Sequence, residues 1–212
     1  MTAPPRGAAT IAAAWDADSG PPNVELLPRA DRRGVSFSTR ILAHVLGRVV
    51  AGSPEPLSSV PWVLGVGEGS VPALVPGSVL RRILAPERGL VRVDAGAATV
   101  PMTLIEALAH LVDHPAVLVA FVADATPPYH EALAAAWLLT RESRADAPLV
   151  LGPPVLRRTS SYSERAPRAE HPLASALRLA RAIDVGQPTV ETVSSGEPDR
   201  PGSWRIELCA AF

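Results

Sequence analysis

Lysine is missing from this 212-residue chain, and all 20 basic residues are arginine. That fits a GC-rich genome, and it rules out Schiff-base chemistry and the lysine of a phosphate loop. Cysteine is almost as scarce. Cys209 alone excludes an internal disulfide and any multi-cysteine zinc site, which suits a reducing compartment. Neither sign of charge dominates: 21 acidic residues oppose the 20 basic ones, and the net charge is -1. With no basic face there is no electrostatic case for nucleic acid or an anionic membrane. No apolar run is long enough to span a bilayer, and the start, MTAPPRGAAT, lacks the apolar stretch of a secretory signal. A cytoplasmic location is therefore the expectation.

What is present is a large apolar fraction, 47% of the residues. It is enough for one full core, so residues 1–212 are read as a single domain, with a mobile start over 1–9 and an exposed loop over 152–170. The chain is organised around Leu90 to Thr126, which reads as strand, sharp turn, helix, strand. Leu90 to Val93 is a short apolar strand ending at Asp94, and Ala95-Gly96-Ala97-Ala98 is small enough for a tight turn. From Met102 to His114, Leu104, Ile105, Leu108, Leu111 and Val112 recur at helical spacing. Thr103, Glu106, His110, Asp113 and His114 fall on the other stripe, and Pro115 ends the helix. Ala116 to Ala123 is apolar throughout, as a strand covered on both faces must be. Turns of this kind mount nucleophiles at helix N-termini, where free amides and the dipole stabilise an anion. Between Asp94 and Val100, however, only Thr99 carries a reactive side-chain atom.

Around this unit the pattern predicts a first strand at Thr10 to Trp15 and an amphipathic helix over Ser36 to Val50, stopped by Gly52. A second strand, Trp62 to Val66, leads into the turn Gly65 to Ser70, and a helix follows over Val71 to Leu84. Glu131 to Arg141 sets its alanines, which favour helix, against an apolar run that suits a buried strand, and propensity alone says helix. Farther on are a short strand at Leu149 to Leu151, a helix over His171 to Asp184, and strands at Thr189 to Val193 and Ser203 to Leu208.

Three places offer chemistry. Glu106, His110 and His114 are spaced by four on one helix face, which would suit a divalent metal, but without a third ligand from another element the plainer reading is a solvated stripe and no metal is expected. Gly65, Gly67 and Ser70 approximate a dinucleotide glycine motif, with Asp94 where a ribose-binding acid or the acid of a methyltransferase would stand. Ser70 replaces the third glycine, and Pro76 with Gly77 disrupts the helix that should hold the phosphate, so a plain glycine turn competes. Asp124 follows a central strand at the end where α/β sheets bind ligands. The candidate binding residues are thus Gly67, Gly69, Asp94, Thr99 and Asp124, and Cys209 reads as a packing residue.

Leu27-Pro28 with Arg32-Arg33 and the following helix, the turn VDAGAAT at Val93 to Thr99, and VADATPPY at Val122 to Tyr129 followed by EALAAAWLLTR together resemble the N-terminal half of β-ketoacyl synthases. The nearest likeness is to the short synthase-like or chain-length-factor-like proteins found beside polyketide, aryl polyene and fatty-acid-type genes. The resemblance implies a layered α/β/α thiolase-like half domain with a mixed central sheet, in which EALAAAWLLTR is a strand. It also sets Ala97 where active ketosynthases present a cysteine, and an alanine cannot form the acyl thioester. The histidine pair of an active synthase lies in its second half, before which this chain ends, and none of the five histidines here matches it. The implied protein has no catalytic residue and needs no cofactor. It would work beside a ketosynthase and an acyl carrier protein as a homo- or heterodimer, with Leu90 to Val100 and the strand Ala116 to Ala123 at the contact.

Overall fold

The computed structural model describes residues 6–53, 56–67, 89–125, 129, 131–141, 149–158, 170–195 and 202–211. In chain order the elements are β1 (Gly7–Trp15), α1 (Phe37–Gly52), β2 (Trp62–Val66), β3 (Leu90–Val93), α2 (Thr99–His110), β4 (Ala116–Ala123) and β5 (Leu133–Thr140), followed by β6 (Leu149–Leu151), β7 (Val155–Arg158), α3 (Ala174–Asp184), β8 (Thr189–Ser194) and β9 (Gly202–Ala210). The sheet is mixed. β2 pairs in parallel with both β3 and β4, while β5 runs antiparallel to β4 and to β1. β1 therefore points the same way as β4, and the order across the central sheet is β3-β2-β4-β5-β1. Trp62 to Val66, Leu90 to Val93 and Ala116 to Ala123 are neighbouring central strands, as their apolar runs predict.

Two helical layers cover this sheet, and the period of two along each strand sorts its side chains between them. Leu118, Ala120 and Val122 of β4, with Ala134, Ala136 and Leu138 of β5, pack against Ile41, Leu42, Val45, Leu46 and Val49 of α1. The alternate residues Val117, Val119, Phe121, Ala135, Trp137 and Leu139 pack with α2 and α3 through Val100, Leu104, Leu108, Ala176, Leu179 and Ala180. Every residue of β4 and β5 is buried. This resolves the competing cues in Glu131 to Arg141: a strand covered on both faces needs continuous apolar character, and alanine lets a helix approach closely. Propensity for helix loses to burial here. α1 begins at an N-cap, Ser36, whose side chain accepts a hydrogen bond from the Thr39 amide at 3.2 Å.

Several boundaries differ from the sequence reading. Gly7 to Ala9 opens β1 and is buried, because both edges of that stretch are paired, to β5 and to β6. α2 starts at Thr99 and ends at His110, with Leu111 to Asp113 forming a turn. Val112 is consequently 59% exposed rather than inward, and Thr103 is fully buried rather than on the polar stripe. Within 152–170, where a loop was expected, Val155–Arg158 forms a strand that is exposed along its whole length. Cys209 is exposed on β9 instead of packed. The expected helix over Val71 to Leu84 lies outside the described residues.

β9 gathers the last part of the chain. Leu208 pairs with Leu151 of β6 and with Thr189 of β8, and Arg205 pairs with Val155 of β7 and with Thr192 of β8. β6 and β7 thus follow one another along one edge of β9, and β8 lies along the other. Val193, Ile206 and Leu208 belong to the same core as α2 and α3, so this ribbon folds onto that face of the sheet.

Candidate functional site

The ends of β2, β3 and β4 that point the same way carry Gly67, Asp94 and Asp124, and α2 begins at Thr99 on that same side. This is where open α/β sheets bind ligands. The turn before α2 is a single 3-10 turn over Gly96–Ala98, with Gly96 at φ 54°, a left-handed conformation that a side chain would strain. The Ala98 amide donates to the Ala95 carbonyl at 3.0 Å. The Ala95 amide donates to Thr99 Oγ1 at 2.9 Å, and Thr103 Oγ1 donates to the Thr99 carbonyl at 2.7 Å. Thr99 and Thr103 are both fully buried. The one hydroxyl of the turn therefore holds the backbone of the turn in place. A hydroxyl that is buried, and already accepting a hydrogen bond, is badly placed to attack a carbonyl carbon in a cleft. Ala97, half-buried in the middle of the turn, offers only a methyl group.

The glycine motif has a packing explanation. A Cβ on Gly65 would lie 2.5 Å from Phe121 Cδ1 and 2.7 Å from Thr103 Oγ1, so the glycine is what allows α2 and the Phe121 ring to close on β2. Phe121 in turn packs on Trp137, with ring centroids 5.2 Å apart. The Gly67 amide donates to the Val122 carbonyl at 3.0 Å, which joins it to the sheet rather than leaving it for a phosphate. Gly69 and Ser70 lie outside the described residues. Asp94 is exposed, with Arg92 Nη2 3.3 Å from its carboxylate. Asp124 is half-buried and engaged in an interaction of its own.

Glu106 and His110 share a face of α2, and His114 lies past the helix end, beyond the turn Leu111 to Asp113. Oε1 of Glu106 lies 3.4 Å from Nε2 of His110, and the two imidazole centroids are 6.0 Å apart. Among the described residues, no group of three or more His, Cys, Asp or Glu is placed to hold a metal ion. The expected contact strand β4 lies between β2 and β5 and is buried throughout, so it cannot itself form a surface. β3, its partner in that expectation, is the last strand on that side of the sheet among the described residues.

One polar constellation escaped the sequence reading. His171, just before α3, accepts the Leu173 amide on Nδ1 at 3.0 Å, which leaves Nε2 as the protonated nitrogen of the neutral ring. Its ring meets Tyr129, from the β4–β5 connection, edge to face at 5.1 Å, and burial holds its pKa below the usual histidine range. Close by, Arg178 of α3 pairs with Glu170 and with the buried Glu191 of β8, whose Oε2 lies 2.8 Å from both Nε and Nη2. Periodicity could have placed Arg178 on the rim of α3, but pairing with a residue 13 positions later has no local signal.

No family model and no curated protein sequence matches this chain. Solved structures do. ChlB3, an acyltransferase, aligns with 86% of the chain at 14% identity and a TM-score of 0.52. The chain spans 65% of that protein. PksG, a HMG-CoA synthase from Bacillus subtilis, aligns with 96% of the chain at 7% identity and a TM-score of 0.55, and 79% of its own length is covered. At these identities the likeness is one of fold, and the fold is thiolase-like: a layered α/β structure around a mixed central sheet.

Proposed function

We propose that this chain is a non-catalytic member of the ketosynthase-like proteins, acting in the cytoplasm with a complete ketosynthase and an acyl carrier protein in polyketide, aryl polyene or fatty-acid-type chain assembly. The observation that carries this is the turn before α2. In a thiolase-like fold it is the natural seat of a nucleophile, at a helix N-terminus beside the ends of parallel strands. Here it holds Ala97 and a buried threonine hydroxyl bonded to its own backbone. Acyl transfer through a covalent intermediate needs an activated nucleophile, and this turn has none to activate.

A role without chemistry requires a partner, and the edge at β3 favours one. Leu90, Val91 and Val93 are only partly buried and Arg92 is exposed, and strand edges invite pairing. The competing reading, a nucleotide or S-adenosylmethionine enzyme built on Gly65 to Ser70 and Asp94, is weakened by the packing of Gly65 and the paired amide of Gly67. Light scattering of the chain mixed with the ketosynthase encoded beside it tests the proposal, and a discrete complex of both proteins is the expected result. If the two stay separate while S-adenosylmethionine or a dinucleotide raises the melting temperature, the competing reading replaces it, because a specific ligand stabilises the native state by mass action.

A further inference from the structure

β7 differs from every other strand of the sheet. Its four residues, Val155, Leu156, Arg157 and Arg158, are all exposed, and Val155 and Leu156 are 53% and 41% exposed. It pairs with β9 along one edge, and among the described residues nothing pairs with the other. Among the described residues, its backbone amides and carbonyls on that side meet no further strand. Alternation puts Val155 and Arg157 on one face of the strand and Leu156 and Arg158 on the other. Among the described residues neither guanidinium has a carboxylate partner. By contrast, Arg205, opposite Val155 on β9, is paired with Glu207, and Arg92 at the β3 edge is paired with Asp94.

We propose that β7 is an acceptor edge for an extended acidic segment of a partner protein, which adds to the sheet as a strand and sets its carboxylates against Arg157 and Arg158. Main-chain hydrogen bonds supply the attachment in strand addition, and side chains on alternate positions supply the choice of partner. The two arginines on adjacent positions, which meet no carboxylate among the described residues, carry that choice here. They repel a second copy of the same strand, which would gather four guanidinium groups in one short ribbon, and they favour carboxylates on both faces. Val155 and Leu156 add apolar contact beside each arginine. This proposal is independent of the nucleophile turn and holds whether or not the chain works with a ketosynthase.

Fluorescence anisotropy with a labelled acetyl-Glu-Val-Glu-Val-Glu-Val peptide tests it on the full chain. The expected result is saturable binding that weakens with salt, is absent for the Lys-Val counterpart, and is lost when alternate peptide amides are N-methylated. The double variant Arg157→Glu, Arg158→Glu, shown to be folded by circular dichroism, should bind at least about tenfold more weakly, a change of about 1.4 kcal/mol. Equal binding of the N-methylated peptide would show attraction by charge alone and overturn the strand addition. No binding to the wild type, together with self-association of the double variant, would show that the arginines only keep the edge from pairing. Binding by residues 6–212 but not by the full chain would mean that the chain's own start fills the edge, and would equally overturn the proposal.

Discussion

The turn that opens α2 and the segment that opens α3 lie on the same face of the sheet, yet the first has no ionisable group between Ala95 and Thr99 while the second gathers Glu170, His171 and Arg178 with Glu191 of β8. At the first, backbone amides and two threonines bond to one another. At the second, each charged or polar group faces another from a different part of the chain. The contrast separates polar groups available for chemistry from those that fasten the fold. Arg178 and Glu191 tie β8 to α3, and the histidine caps a turn. The ionisable cluster is therefore a clamp, while the turn at the N-terminus of α2 carries no ionisable side chain between Ala95 and Thr99.

Substitutions that separate the two regions should rank in a definite order. Gly65→Ala would force a Cβ against Phe121 and Thr103 beneath the α2 turn, and overpacking of this kind costs about 3 kcal/mol. Urea denaturation measures it, and a loss below about 1 kcal/mol would show that the Phe121 ring moves aside freely. Next is Glu191→Gln, which leaves Arg178 with Glu170 as its one carboxylate among the described residues and weakens the clamp by about 1 to 2 kcal/mol. Hydrogen exchange should then rise in β8 and leave α2 unchanged. Exchange that rises equally in both would mean the two regions are not distinct.

Thr99→Val removes the acceptor of the Ala95 amide and should cost about 1 kcal/mol, with Thr99→Ser close to the wild type. If the serine variant is as unstable as the valine one, the methyl group rather than the hydroxyl holds the turn. The smallest effect is one of pH. Burial holds His171 below its unfolded pKa of about 6.5, so the native state binds fewer protons than the unfolded chain as pH falls through that value. Stability is full above it and declines below it. His171→Asn should flatten the fall in melting temperature between neutral and mildly acid pH, leaving the share due to His44, which burial and Arg48 also hold low. An unchanged slope would remove His171 from the account.

The same contrast explains what was legible in the sequence. β2, β4 and β6 were readable to the residue because their apolar runs are short and bounded, and the bare turn could be seen in VDAGAAT itself. The α2 helix begins at Thr99, three residues before the Met102 at which the apolar period starts, and Pro101 sits in its first turn, where proline is tolerated. Thr103 looked polar in the pattern, but its hydroxyl bonds back to the Thr99 carbonyl and so can be buried. Nothing in the sequence marked Gly65 as a contact with Phe121, 56 positions away, or joined Tyr129 to His171. Those depend on tertiary packing, which no local period encodes. β7 was lost in a stretch dense in proline and arginine, since four residues on β9 need only pairing and no apolar face.

Intact-protein mass spectrometry with peptide mapping, after incubation with an acyl-CoA and a malonyl-loaded carrier protein, tests the bare turn most directly on the wild type and on Ala97→Cys. The account predicts no acyl adduct on the wild-type turn and no condensation product from either protein, because catalytic groups that act as a unit do not work singly. An acyl ester mapped to Thr99, or turnover by Ala97→Cys alone, would contradict it.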